Sequence, residues 1–359
     1  MTFEEARAAF PVLERIAYLN AGSMGPLSRA TAEAMIESAR RDLEQGRGGK
    51  PYFEEMLRLR EDVRGRIANL IAVEPERVAL TSSTTDGCNV VLAGLDLGPD
   101  DEVVTTDAEH PGLLGPLNAS GARVVVAPTT GRPAADALET ILAAVTPRTR
   151  LVALSHVAWT TGQIFPVREL KAETGLPVLV DGAQAVGAIP VEAGDVDFYT
   201  VSCQKWLCGP DPLGALYVRD PERLRIALPT YFSLVSIETD GSFEPKPGAA
   251  RFDSGWLAPP SLAGLIAALD GAPDWRFERA AEIAERCRVA LAERLEVVTE
   301  PHQATLVSFV ASGDAAETAA RAYDAGVVIR DLPRTGWCRA SCGYWTSEED
   351  IARLVAAVA

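Results

Sequence analysis

Lysine is scarce in this chain of 359 residues: Lys50, Lys171, Lys205 and Lys246 are all there are, and arginine carries most of the positive charge. Lys205 is the odd one among them, set in VSCQKWLCGPDPLGALYV between small and apolar neighbours. Arginine serves a surface ion pair better, so an amine in this setting invites a different use, nucleophilic attack on a carbonyl. Its first candidate partner is Asp181, which closes the apolar run LPVLVD 24 residues earlier. The Asp-Gly step that follows would also suit an ordinary strand-end turn. A carboxylate and an amine on neighbouring strand ends fit a pyridine aldehyde. The acid keeps the ring nitrogen protonated while the amine forms a Schiff base.

Two further stretches extend this reading. TSSTTDGCNVV, residues 81–91, has the order strand, hydroxyl run, helix. Hydroxyls and N–H groups at a helix N-terminus can hold a phosphate, although the same residues would also serve as plain N-caps. The stretch is no GxxxxGK[ST] loop, which argues against nucleoside triphosphates. His110, in TTDAEHPGLL, follows another strand and could stack on a planar ring or be structural. Together these four features point to pyridoxal phosphate.

The elements that must position them alternate along residues 76–220. RVALTS, DEVVTT, ARVVVAP, TRLVALSH, LPVLVDGA, VDFYTVS and GALYV read as strands, most of the first five separated by segments of helical period. That rhythm predicts an α/β fold with a mainly parallel, seven-stranded sheet and helices on both faces. Ligands of such sheets bind beyond the carboxyl ends of the strands, where each motif above falls. Two amphipathic helices are expected over 28–45 and 54–72, joined by QGRGGKP. A long loop with several Gly, Pro and aromatic residues precedes a C-terminal α+β region. The expected division is a large domain over 20–245, with 1–19 and 246–359 forming the smaller one.

Bulk properties narrow the function classes. A net charge of −16 argues against nucleic acid and anionic membrane surfaces as partners. No apolar run reaches the roughly 18–20 residues needed to span a bilayer. The start, MTFEEARAAF, lacks the pattern of a signal peptide. Six scattered cysteines form no CxxC pair, so a cytoplasmic protein with reduced thiols is expected.

The order YLNAGSMGP, TSSTTDGCN, AEHPG, SHVAWTTGQ, LVDGAQAVGA, FYTVSCQKW, RFDSGW and WCRAS resembles class V aminotransferase-fold enzymes, the cysteine desulfurase and C–S lyase group, across residues 18–350. The resemblance implies fold type I and a pyridoxal phosphate enzyme with Lys205 as Schiff-base lysine. Asp181 would partner the pyridine nitrogen, Gln184 would donate to the phenolic oxygen, and His110 would stack on the ring. Thr84, Thr85, Ser202 and Gln204 would face the phosphate; Gln204 stands where the family usually has histidine. Arg339 would clamp the α-carboxylate of an amino-acid substrate, with Ser23 and Trp159 also on the substrate side. Trp256 replaces a threonine that reaches the neighbouring subunit's phosphate, so a homodimer with shared sites is implied. Trp159, Trp256 and Tyr231 would make the pocket unusually aromatic.

The segment before Arg339, GVVIRDLPRTGW, lacks the cysteine that a desulfurase uses as nucleophile, and Cys338 is expected to pack as a small apolar residue. Elimination from a cysteine-like substrate is therefore the expected reaction. An aminotransferase, an epimerase (YLNAGSMGP is similar to the isopenicillin N epimerase-like branch) or a desulfurase are alternatives on the same cofactor. A non-catalytic binding protein is the alternative of another class.

Overall fold

The computed structural model describes all residues from Met1 to Ala359. Its central sheet has seven strands: β1 (Val78–Thr81), β2 (Glu102–Thr106), β3 (Arg123–Ala127), β4 (Thr149–Ser155), β5 (Val178–Asp181), β6 (Phe198–Ser202) and β7 (Gly214–Val218). They lie in the order β1-β7-β6-β5-β4-β2-β3. The strands between β6 and β3 pair parallel, and β7 runs antiparallel to both neighbours. The reversal has a local cause. Parallel pairing needs a crossover of a dozen or more residues, usually a helix, and the link from Ser202 to Gly214 is short and carries none. Lys205 sits in that link.

Alternation along the strands builds two cores. Ala79, Val103, Leu151, Leu179 and Leu216 point to one face, where they meet Val91 and Leu113. Those two belong to α3 (Thr84–Leu95) and α4 (Pro111–Ala119). Val78, Leu80, Val104, Val152 and Val180 point to the other face and pack with Val63 and Leu262. These come from α2 (Lys50–Leu70) and α5 (Pro259–Asp270). A strand buried on both sides must be apolar at nearly every position, which is why these runs lack the polar alternation of a surface sheet. The exceptions lie near strand starts, where the edge strand β3 exposes Arg123 and β4 exposes Arg150.

Helix α1 (Arg29–Gln45) begins at Ser28, whose hydroxyl accepts the Thr31 N–H, and ends at Gly46 with φ +80°. That backbone region is open to glycine at little cost, so QGRGGKP turns the chain sharply into α2. The two expected helices are thus present, the second starting a turn earlier than its periodicity predicts because Pro51 fits the first turn of a helix.

A third core joins Ala17 and Leu19 to Ile283, Leu291, Phe309, Ala340 and Leu354. It fills the C-terminal unit, which contains α6 (Arg276–Ala292) and a sheet in which Trp337–Ser341 lies between Leu306–Val310 and Arg330–Leu332. Ala17–Tyr18 pairs with Val327–Val328. The expected boundary at residue 246 precedes this change of packing. Residues 257–265 contribute Leu257, Leu262 and Leu265 to the large-domain core, so we propose that the small domain begins after α5.

Candidate active site

The sheet register gathers the candidate residues. In β7, Gly214 pairs with Thr81 of β1 on one side and with Ser202 of β6 on the other. A Cβ on Gly214 would lie 2.9 Å from Thr81 Oγ1 and 3.0 Å from the Ser83 carbonyl carbon. This close approach needs glycine and brings Ser202 beside the start of α3. Ser83 caps that helix, its Oγ accepting the Asp86 N–H at 3.1 Å. Thr84 and Thr85 follow as the first two helical residues, whose N–H groups have no acceptor within the helix. Ser202 Oγ donates to Gln204 Oε1 at 2.8 Å, which leaves the Gln204 amide N–H groups as donors. This is a set of donors suited to a phosphate dianion.

Asp181 ends β5 beside Thr200 of β6. Its Oδ1 accepts from Ala183 N at 2.9 Å and Thr200 Oγ1 at 3.4 Å, and no ion pair engages the side chain. Burial raises its pKa, while the charge of Lys205 pulls the other way. The Lys205 amine forms no hydrogen bond or salt bridge, although its backbone carbonyl accepts the Cys208 N–H at 3.1 Å. Burial pushes its amine down to about 8, opposed by Asp181 and assisted by Arg339 and Arg330. A free amine with a depressed pKa is a competent nucleophile and base.

His110 caps α4, its Nδ1 accepting the Gly112 N–H at 3.0 Å. That bond puts the proton of the neutral ring on Nε2. Burial, then the charges of Lys205, Arg330 and Arg339, lower its pKa to about 4. Gly112 allows the packing: a Cβ there would lie 2.6 Å from Thr85 Oγ1, so the His110 turn rests on the start of α3. The edge of the His110 ring meets Trp159 with centroids 5.2 Å apart and planes at 90°.

Arg339 is fully buried. Nη1 donates to the Trp159 carbonyl at 2.7 Å, whereas Nε and Nη2 have no partner. Burial and the nearby Arg330 push its pKa down to about 9. The hydroxyl of Ser341, also unpartnered, lies close by: a Cβ on Gly22 would be 2.7 Å from Arg339 Nη2 and 2.9 Å from Ser341 Oγ. Buried donors without acceptors are costly, and an incoming carboxylate would satisfy them. Ser23 Oγ accepts from Arg330 Nη1 at 3.1 Å.

Several residues carry more than their sequence context discloses. Gln184 is held at both ends, Nε2 donating to the Gly22 carbonyl at 2.8 Å and Oε1 accepting the Trp206 indole N–H at 3.0 Å; one amide hydrogen remains free. Glu109, next to His110, is buried and accepts from Thr106 Oγ1 at 2.6 Å and from Ser155 N and Oγ at 2.9 and 2.6 Å. Burial, helped by Asp181, raises its pKa to about 7. Arg330 lies over the Trp159 ring at 5.8 Å from its centroid. Its only sequence signal was an arginine in a short apolar strand, GVVIRDL.

Trp256 and Tyr231 lie apart from these residues. Within one chain they do not line the site. Trp256 packs on Phe53 and Phe232 and is 61% exposed; Tyr231 is 74% exposed. The aromatic wall beside His110 is Trp159 alone among the three. Cys338 lies in a paired strand, fully buried, with Sγ 3.3 Å from the Ala315 carbonyl. Burial pushes its thiol up to about 11. All six cysteines are free and buried.

An α/β sheet carrying an amine, a buried carboxylate, a neutral histidine and a helix N-terminus at one edge defines a site for pyridoxal phosphate. The uncommitted amine, the unpaired Asp181 and the open donors of α3 fit that group. Residues 21–354 match the family model for class V aminotransferases, and the chain belongs to that family as a pyridoxal-phosphate-dependent enzyme. It is 29% identical to an isopenicillin N epimerase of Streptomyces clavuligerus, covering 99% of this chain and 97% of that protein. It is also 29% identical to a cysteine desulfurase of Enterobacter sp. (strain 638), covering 98% and 96%. Among solved structures, a C-DES mutant with glycine covalently linked to its pyridoxal phosphate superposes with a TM-score of 0.90, at 29% identity and 98% coverage of both chains. The cystine C–S lyase C-DES with its product cysteine persulfide gives 0.89, at 29% identity and 97% and 98% coverage.

Proposed function

We propose that this enzyme is a C–S lyase that eliminates sulfur from a cysteine-like amino acid, with a disulfide such as cystine as the best-fitting substrate. The observation that carries the reading is the pairing of a complete amine–carboxylate–arginine site with the absence of any exposed thiol. Attack on substrate sulfur needs an accessible thiolate, and burial holds Cys338 and Cys203 up at about 11 and 12. Two arginines without carboxylate partners, Arg330 and Arg339, favour a substrate with two carboxylates.

Bound pyridoxal phosphate supplies a carbonyl for the substrate amine and a cationic ring that draws electrons from the Cα–H bond. Lys205 would anchor it, Asp181 would hold the proton on its ring nitrogen, and Thr84, Thr85, Ser202 and Gln204 would hold its phosphate. Arg339 would fix the α-carboxylate, and Trp159, braced between Arg339 and His110, would keep that grip aligned with the ring. The Nζ of Lys205, released when substrate enters, would take the Cα proton. Loss of the β-sulfur group then gives pyruvate and ammonia after hydrolysis, with cysteine persulfide from cystine or sulfide from cysteine.

A homodimer fits Tyr231, Val235, Ile237 and Trp256, large apolar side chains exposed near one another in sequence. The cytoplasm fits six free cysteines.

The test is product analysis with purified holoenzyme. Pyruvate with persulfide or sulfide, lost in Lys205→Ala, supports the lyase. Alanine with protein-bound persulfide would mark a desulfurase, turnover dependent on a keto acid a transaminase, and inverted substrate without pyruvate an epimerase.

A further inference from the structure

Behind the catalytic segment lies a cavity of about 430 Å³, bounded by Phe10, Leu70, Trp206, Leu207, Leu269 and Tyr344 among others. Its size is in the range that holds small ligands, and its walls are mainly apolar, as in such sites. Two polar groups in the wall, neither sealed from solvent, have hydrogen-bonding capacity that the chain does not use. Tyr344 is 7% exposed, its ring fixed against Phe10, Trp345 and Trp275, yet its hydroxyl makes no hydrogen bond. Arg276, at the start of α6, stacks on Phe277 at 4.3 Å and donates Nη1 to the Pro273 carbonyl at 3.2 Å. No carboxylate pairs with it.

The other charges nearby are accounted for. Asp270 is engaged by Arg66 through both oxygens, at 2.9 and 3.1 Å. Asp274 is exposed and forms no ion pair with Arg276. Burial lowers the Arg276 pKa, and Tyr344 is the first of the groups whose charge acts against that shift. A half-buried guanidinium with no carboxylate partner and a phenol hydroxyl with no hydrogen bond, on one apolar cavity, can both donate to a single acceptor.

We propose that this cavity is a binding site for a small amphipathic monoanion, an aryl or branched alkyl carboxylate whose head meets Arg276 and Tyr344. The apolar body would lie against Trp206 and Leu207. The site is separate from the carboxylate grip of Arg339 and borders the catalytic segment, since Trp206 follows Lys205 and donates its indole N–H to Gln184.

Isothermal titration of the pyridoxal-phosphate-loaded, full-length enzyme with 4-phenylbutyrate tests this. One saturable site is expected, with 4-phenylbutanol binding at least tenfold more weakly. Arg276→Met should weaken the acid at least tenfold and leave the alcohol unchanged. Ala272→Trp, which fills the cavity from its half-buried rim, should abolish both. Arg339→Ala should leave the affinity as it was. Absence of saturable binding, including a cavity sealed by a second copy of the chain, overturns the proposal. So does equal binding of acid and alcohol, an affinity indifferent to Arg276→Met and Ala272→Trp, or binding lost in Arg339→Ala, which would put the ligand in the active site. The acid–alcohol comparison needs no variant and stands even if one fails to fold.

Discussion

Arg330 and Arg339 are register partners on adjacent antiparallel strands, and neither forms a salt bridge with any carboxylate of the chain. Each is held by a different part of the site instead, Arg330 by Ser23 Oγ and the Trp159 ring, Arg339 by the Trp159 carbonyl. Two like charges this close repel, so the arrangement is relieved by anionic substrate. A charge-assisted hydrogen bond contributes about 1.5–3 kcal/mol, and Arg339 would supply two. Arg339→Ala is therefore expected to lower kcat/KM roughly 100-fold or more for every amino acid tried. Arg330→Gln should cost roughly tenfold with cystine and much less with cysteine. Steady-state pyruvate formation with both substrates checks this, and an equal loss on both would refute the two-carboxylate reading.

Cys338→Ala is expected to leave pyruvate formation within about twofold of wild type, because the thiol lies in a paired strand with no route to substrate. Its cost should appear in stability instead, on the order of 1 kcal/mol for a small core truncation. Activity falling by two orders of magnitude with stability intact would mean that the thiol takes part in the chemistry.

The acid and base limbs of stability trace to different buried groups. His110 and His156 are neutral when folded, with pKa near 4 against an ordinary 6.5, chiefly through burial. The unfolded chain therefore binds more protons between those values, and stability falls as pH drops from about 6.5 towards 4. Glu109 has the opposite sign. Its folded pKa near 7 exceeds the ordinary 4.5, so its contribution is full below 4.5 and is lost as pH rises to 7. Each group gives a slope of at most about 1.4 kcal/mol per pH unit. In thermal melts of the cofactor-free protein, Glu109→Gln should gain stability relative to wild type between pH 5 and pH 8. A difference that stays flat with pH would show that Glu109 is ionised throughout.

The pieces of the site legible in the sequence are those that strand ends announce. Lys205, Asp181, His110 and the TSSTT run each follow an apolar strand, and a mainly parallel sheet must bring such ends to one edge. The antiparallel β7 was less legible, because its cause is a missing crossover helix rather than a residue pattern. Trp206 and Gly22 were harder still: their links to Gln184 join positions 22, 184 and 206 through tertiary packing. Arg330 needed the register of two short strands. Trp159, Trp256 and Tyr231 looked alike as aromatics in a row of motifs, but only the first has a neighbouring His110 to hold it inward.

Trp256 and its neighbours bear on assembly. Ser254 donates its N–H to the Leu80 carbonyl at 2.8 Å, and Arg60 donates to the Gly255 carbonyl at 3.2 Å. Asp253, buried between Arg60 and Arg64 at 3.0 and 2.8 Å, fixes the start of the same loop. A large indole held rigidly at the surface, with Tyr231 nearby in the same aromatic group, has the character of an interface anchor. Burying its ring would contribute on the order of a few kcal/mol per protomer. Trp256→Ala is expected to raise the dimer dissociation constant at least 100-fold while each chain stays folded. Light scattering across a dilution series reads this out directly. A wild-type protein that remains monomeric at the highest concentration would leave Trp256 without a partner surface and end the shared-site reading. A dimer indifferent to Trp256→Ala would move the interface to another face.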